Sequence, residues 1–167
     1  MKSKADDSSL NETKPPMLDD LDLKICRVLQ QDGRLSNADL ARAIHLSPAA
    51  CFDRVKRLRR EGYITGFAAL LDPEKFDRGL LVFVQVLLDR TTPDAFSNFA
   101  AAVRNMPEVL ECHMVAGGFD YLVKARVKDM AEYRRFLGDA LVSLPSVRET
   151  HTYAVMEEVK AQVGFGI

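Results

Sequence analysis

"SNADLARAIHLSPAACFDRVKRLRREG", residues 36–62, holds two short amphipathic runs joined by a tight turn. Ser36 stands where an N-cap belongs, and Asp39 three residues on can answer it in capping-box fashion. Leu40, Ala43 and Ile44 recur at helical spacing and predict a short buried stripe. His45 and Leu46 make the connection. Ser47 caps the next helix, and Pro48 takes its first position, where a missing N–H costs nothing. Gly62 ends that helix. At about 100° per residue, Cys51, Phe52, Val55 and Leu58 fall on an inward face. Ala49, Ala50, Asp53, Arg54, Lys56, Arg57 and Arg60 fall around the other, with the Arg59 stem along the apolar edge. Upstream, "DDLDLKICRVLQQDG" (19–33) sets Leu21, Ile25, Val28 and Leu29 on one face, opened by Asp19 or Asp20 and closed by Gly33. Three short helices with a tight turn before the last make a helix-turn-helix pattern.

Arg54, Lys56, Arg57, Arg59 and Arg60 crowd together in a 167-residue chain of net charge -1. Residues 1–62 carry 12 Lys and Arg against 10 Asp and Glu; residues 63–167 carry 11 against 14. A polyanion would therefore meet one local patch rather than a basic protein. A basic helix alone is most often a solvated face. The last helix of a helix-turn-helix, however, is where that motif carries base recognition. Ala49 and Ala50 are small enough to approach base edges and thymine methyls, and Arg54 and Arg57 can reach a guanine or a phosphate. The N–H groups at the helix start can face a phosphate.

"YITGFAALLDPEKF" (63–76) reads as a short strand and then a linker toward residue 80. Beyond it one pattern occurs twice. "LLVFVQVLLD" (80–89), "PDAFSNFAAAVRNM" (93–106) and "VLECHMVAG" (109–117) read strand, helix, strand. "FDYLVKARV" (119–127), "DMAEYRRFLGDALVSL" (129–144) and "SVRETHTYAVMEEV" (146–159) repeat it. In the first helix Phe96, Phe99, Ala100, Val103 and Met106 are expected inward. In the second the apolar face is Met130, Tyr133, Phe136, Leu137, Ala140, Leu141 and Leu144. Phe119, Tyr121, Val123, Ala125 and Val127 alternate as one strand face. The order β-α-β-β-α-β is ferredoxin-like. The fold class expected is α+β: an N-terminal three-helix helix-turn-helix domain, a β-hinge, and a C-terminal ferredoxin-like domain. Both helices would cover one sheet face, and the other, carrying Val82 or Phe83 and Met114, calls for a second copy.

"AGGFDY" (116–121) joins two strands, and Gly117–Gly118 is a turn former that tolerates positive φ. His45, His113 and His151 have no metal-ligand spacing. Cys112 and His113 are neighbours on a strand, so they point to opposite faces and make a poor nucleophile and base. Cys26, Cys51 and Cys112 lack a CxxC pair and read as reduced thiols of a cytoplasmic protein. Residues 1–17 read as a polar, disordered tail. No apolar run reaches the roughly 18 residues that span a bilayer. No phosphate loop or catalytic carboxylate pair stands out, and no cofactor is expected.

The chain resembles the Lrp/AsnC (feast/famine) family of transcription regulators. The likeness runs through "LDDLDLKICRVLQQDGRLSNADLARAIHLSPAACFDRVKRLRREGYITGFAALLDP", "LLVFVQVLL", "ECHMVAGGFDYLVKARVKDMAEYRRFLGDALVSLPSV" and "TYAVMEEVK", over roughly residues 18–160. It implies a DNA-binding domain over 18–79, with the helix-turn-helix at 37–56, and an amino-acid-sensing domain over 80–160, followed by a tail at 161–167. It implies duplex DNA contacts from Ser36, Asn37, Ser47, Pro48, Ala49, Ala50, Arg54, Lys56 and Arg57. It implies a leucine-like amino-acid effector held by Gly117, Gly118, Asp120 and Tyr121, with Thr152 and Tyr153 on the last strand. Asp120 would pair with the effector ammonium or, alternatively, serve as a structural acceptor. The resemblance further implies homodimers assembling into tetramers or octamers, no membrane, and a cytoplasmic, nucleoid-associated protein that is not an enzyme. Two alternatives stand beside it: a local regulator of one catabolic operon, for proline or branched-chain use, and a ferredoxin-like metabolic enzyme or enzyme-regulatory subunit.

Overall fold

The computed structural model describes residues 17–89, 92–144, 146–161 and 164–167. The expected disordered tail lies outside the described residues except for Met17. The chain divides into two compact units, one ending at Ala69 and including the terminal residues 164–167, the other spanning Leu70–Ala161.

The first unit is three helices: α1 (Asp20–Gln31), α2 (Asn37–Ile44) and α3 (Pro48–Arg60). Each start is capped by its own side chain. Asp19 accepts from the Asp22 N–H while Asp22 answers the Asp19 N–H, a full capping box. Ser36 accepts from the Asp39 N–H, and Asp39 meets the Ser36 hydroxyl at 2.6 Å rather than its backbone. Ser47 accepts from the Ala50 N–H, with Pro48 next. His45 closes α2 in the left-handed region at φ 59°, and Gly62 does so after α3 at φ 78°. Ile25, Leu29, Leu40, Ala41, Ile44, Cys51 and Leu58 form the core. Ala41 takes the buried position expected of Ala43, which is exposed, because α1 and α3 meet α2 one residue round its surface. Phe52, expected inward, is 56% exposed: Cys51, Val55 and Leu58 already fill the contact, and no further helix among the described residues covers Phe52.

Residues 63–72 carry no strand, since a strand needs a ladder partner and none of the described residues pairs there; a 3-10 turn follows at Pro73–Phe76. The Phe67 ring rests on Gly33, where an added Cβ would come within 2.9 Å of it.

The second unit is a four-stranded antiparallel sheet in the order β2-β3-β1-β4, from β1 (Leu80–Leu88), β2 (Val109–Met114), β3 (Tyr121–Val127) and β4 (Val147–Ala154). Strands β2 and β4 are shorter than the sequence suggests, ending where pairing ends. One face packs on α4 (Pro93–Val103), α5 (Met130–Arg135) and a π-helical turn, Phe136–Leu141. Its core joins Val82, Val84 and Val86 of β1 to Tyr121, Val123 and Ala125 of β3, beneath Phe99 and Tyr133. This decides between Val82 and Phe83: Phe83 lies on the open face, beside Lys124 and Tyr153 in register. Met114 is opposite Tyr121 in register, so it belongs to the helix-covered face, contrary to expectation. Met130, expected inward, is 53% exposed at the first turn of α5. Phe119 precedes β3 in a bend instead of extending it.

Candidate functional site

The outer surface of α3 divides into three strips. Ala49, Asp53, Lys56 and Arg60 are all exposed and follow one another at helical spacing. On one side, Phe52, Val55 and Ile64 floor a shallow groove of about 480 Å³, rimmed by Lys56, Arg59 and Arg60. On the other side lie Arg54 and Arg57, and these are not free. Arg54 Nη1 donates to Asp19 Oδ2 at 2.6 Å and to Asp22 Oδ1 at 2.8 Å. Arg57 Nη2 donates to Asp22 Oδ2. Asp22 is fully buried, so α1 ties itself to α3 through an enclosed carboxylate. The N–H of Asp22 and the Arg54 guanidinium hold the Asp19 carboxyl below its ordinary range. The same carboxylates push the Arg54 and Arg57 guanidiniums further toward the charged form.

Sequence reasoning found the two arginines and missed their partner. The signal was present: Asp22 stands three residues before Ile25 and seven before Leu29, on the face of α1 that enters the core. The other candidates divide into scaffold and surface. Ser36 and Ser47 are caps, and Asn37 Nδ2 donates to the Pro48 carbonyl at 2.8 Å, joining the starts of α2 and α3. Pro48, Ala49, Ala50 and Lys56 are exposed.

The effector candidates are not gathered into one pocket within the chain. Gly117 and Gly118 lie in the exposed connection that joins β2 to β3, as expected, and neither has positive φ. An added Cβ at either would meet nothing within 4 Å. Asp120 opens β3. Its Oδ2 accepts the Leu88 N–H at 2.7 Å, just past the last rung of the β1–β3 ladder at Val86 and Tyr121. Its N–H donates to the Val86 carbonyl at 3.0 Å. Tyr121 is a core residue: its hydroxyl donates to the Phe96 carbonyl at 3.2 Å and its ring centroid lies 4.5 Å from that of Phe99. Thr152 bonds the Tyr133 hydroxyl on the helix-covered side, while Tyr153 is half exposed on the open face. Successive strand residues alternate, so these two cannot line one cavity of a single chain.

Among the described residues no cluster of His, Cys, Asp or Glu could hold a metal, and no helix is long and apolar enough to cross a membrane. The three cysteines are unpaired, and burial pushes each thiol up, away from the reactive thiolate.

Residues 18–65 match the family model for a winged helix-turn-helix DNA-binding domain, and residues 81–164 that for the Lrp/AsnC ligand binding domain. The leucine-responsive regulatory proteins of Salmonella typhimurium and Escherichia coli are each 52% identical over 143 residues, which is 86% of this chain and 87% of theirs. A transcriptional regulator of Neisseria meningitidis, solved in complex with L-Met, is 39% identical with a TM-score of 0.86, covering 90% of this chain and 97% of that one. An AsnC family transcriptional regulator of Agrobacterium tumefaciens is 32% identical with a TM-score of 0.85, covering 89% and 97%. These relatives are regulators rather than enzymes. With both domains matched in order along the chain, it belongs to the Lrp/AsnC family of DNA-binding, amino-acid-responsive transcription regulators.

Proposed function

We propose that this regulator controls genes of amino-acid metabolism, with a DNA-binding domain over 18–79 and a sensing domain over 80–160 that takes a neutral, leucine-like amino acid. In this reading Ala49 and Ala50 approach base edges, Lys56 meets a phosphate, and Arg54 and Arg57 supply further contacts. Ser36, Asn37, Ser47 and Pro48 set the starts of α2 and α3 against the DNA backbone. Support for the sensing half comes from Gly117 and Gly118. An added Cβ at either meets nothing within 4 Å among the described residues, so the backbone there is open to a ligand's approach. The L-Met complex of the Neisseria relative fits a ligand of that size. Asp120 keeps Oδ1 for the effector ammonium while Oδ2 serves Leu88.

The open sheet face supports a homodimer with sheets facing, and dimers joining into tetramers or octamers. An effector seated between dimers would shift that assembly by preferring one state. The protein acts in the cytoplasm, on the nucleoid. Calorimetric titration of the full chain against the twenty amino acids tests the sensing half. One neutral aliphatic amino acid should bind, and Gly118→Val should weaken it at least tenfold with an unchanged melting temperature. Binding of none of the twenty, or full binding by Gly118→Val, would end this reading.

A further inference from the structure

The carboxylate behind the recognition helix does more than join two helices. Both oxygens of Asp22 are occupied: Oδ1 by Arg54 Nη1, and Oδ2 by the Asp19 N–H at 3.2 Å and by Arg57 Nη2. Each guanidinium is therefore held by one terminal nitrogen, and what remains to donate differs between them. Arg57 Nε is buried with no acceptor and its Nη2 already serves Asp22, so Arg57 has no free Nε/Nη2 edge and offers Nη1 with an Nη2 shared with the carboxylate. Arg54 Nε and Nη2 have no acceptor among the described residues and are not enclosed, so Arg54 keeps a complete two-nitrogen edge. Bidentate recognition of guanine O6 and N7 needs two adjacent nitrogens; a phosphate oxygen needs one.

We propose that Asp22, with Asp19, is a positioning pair that divides the work of the recognition helix: Arg54 reads a guanine edge with Nε and Nη2, and Arg57 meets a phosphate with Nη1. This rests on the DNA-binding reading of α3. It assigns to α1 a part in sequence discrimination through the carboxylates it sets behind α3. A guanidinium held from behind loses less freedom on binding, and the wrong base meets an edge that cannot turn away. Lysine at position 57 retains the charge and one nitrogen; lysine at position 54 lacks the second nitrogen the guanine requires.

The test uses the full chain and a duplex selected by it from a randomised pool, with copies in which each G·C pair is changed to A·T, and a scrambled duplex as reference. For the wild type, one G·C change per half-site should weaken binding by about 5- to 150-fold. Arg54→Lys should lose most of that discrimination. Arg57→Lys should keep it while weakening every duplex, the scrambled one included, by a similar factor. Asp22→Asn should bind the scrambled duplex at least as well as wild type while its discrimination falls below about threefold. Asp19→Ser, which retains a capping oxygen but removes the charge on Arg54, serves the same purpose where Asp22→Asn does not fold. Full discrimination in Arg54→Lys, its loss in Arg57→Lys, or wild-type discrimination in the folded Asp variant would overturn the proposal. A wild type that prefers no duplex at all would instead remove the DNA reading of the helix.

Discussion

Asp22 turns two cations of the recognition helix into part of the fold. A buried carboxylate is tolerable only while it is paired. Removing Arg54 alone leaves Arg57 on it, and removing Arg57 alone leaves Arg54. The single alanine variants should therefore each lose a modest amount of stability, about 1 kcal/mol. The double variant should lose about 3–5 kcal/mol, because an unpaired charge then stays buried. A double-mutant cycle by urea unfolding measures that excess. Alanine scanning of this helix without a stability control would mistake unfolding for lost DNA contact. The depressed carboxyls also set an acid limit. Asp19 is lowered from 3.8 by the Asp22 N–H and Arg54, and Glu132 from 4.5 by the Lys128 N–H and then Arg78. A carboxyl depressed in the folded state contributes stability above its unfolded pKa and loses it as pH falls through the folded value. The melting temperature should stay level from neutral to about pH 5 and fall below about pH 4. A decline that starts near pH 6 would point to other groups.

At the level of elements, the two glycines that bound or interrupt helices have opposite roles. Gly62 ends α3 at φ 78°, with open space where a Cβ would stand, so the cost of a side chain there is purely conformational. Gly62→Ala should lose about 1 kcal/mol. Gly138 lies inside the π-helical turn without positive φ and also faces open space. Gly138→Ala should gain about 0.5–1 kcal/mol by restricting the unfolded chain. Denaturant curves of the two variants, followed with probes in each unit, should shift in opposite directions. The π turn itself is marked by the Val142 N–H reaching the Leu137 carbonyl at 2.8 Å, five residues back. The wider turn brings Phe136 and Leu141 together into the core, a pairing that a uniform α-helical wheel does not produce.

Across the whole molecule, the unresolved demand is the second face of the sheet. Phe83 and Leu87 of β1, Leu122 of β3 and Tyr153 of β4 share that face with Lys124, His113 and His151. Such a surface, with Phe83, Leu87, Leu122 and Tyr153 set among Gln85, Lys124 and the histidines, suits a sheet-to-sheet contact of mixed polarity. Phe83→Lys in the full chain should reduce the assembly to monomers in sedimentation runs while leaving the α4 and α5 side of the sheet intact. An assembly of unchanged size would place the dimer contact elsewhere.

What the sequence by itself determined is what local chemistry governs. Ser36, Ser47 and Pro48 announce helix starts because a cap satisfies backbone donors a few residues away. The alternation in "YLVKARV" and the apolar run in "LLVFVQVLL" announce strands because side-chain direction has a period of two. Helix-turn-helix and ferredoxin-like order followed from those runs. What only the tertiary structure decided is which groups meet across the fold. Arg54 and Asp22 are 32 residues apart, and no local pattern pairs them. Asp120 meets the Leu88 N–H because the β1–β3 ladder ends at Val86 and Tyr121, leaving that donor just past the last rung. Thr152 and Tyr153, neighbours in sequence, part to opposite faces once the strand joins its sheet. Propensity and capping act within about one turn of the chain, whereas burial, charge pairing and register depend on which segments pack together.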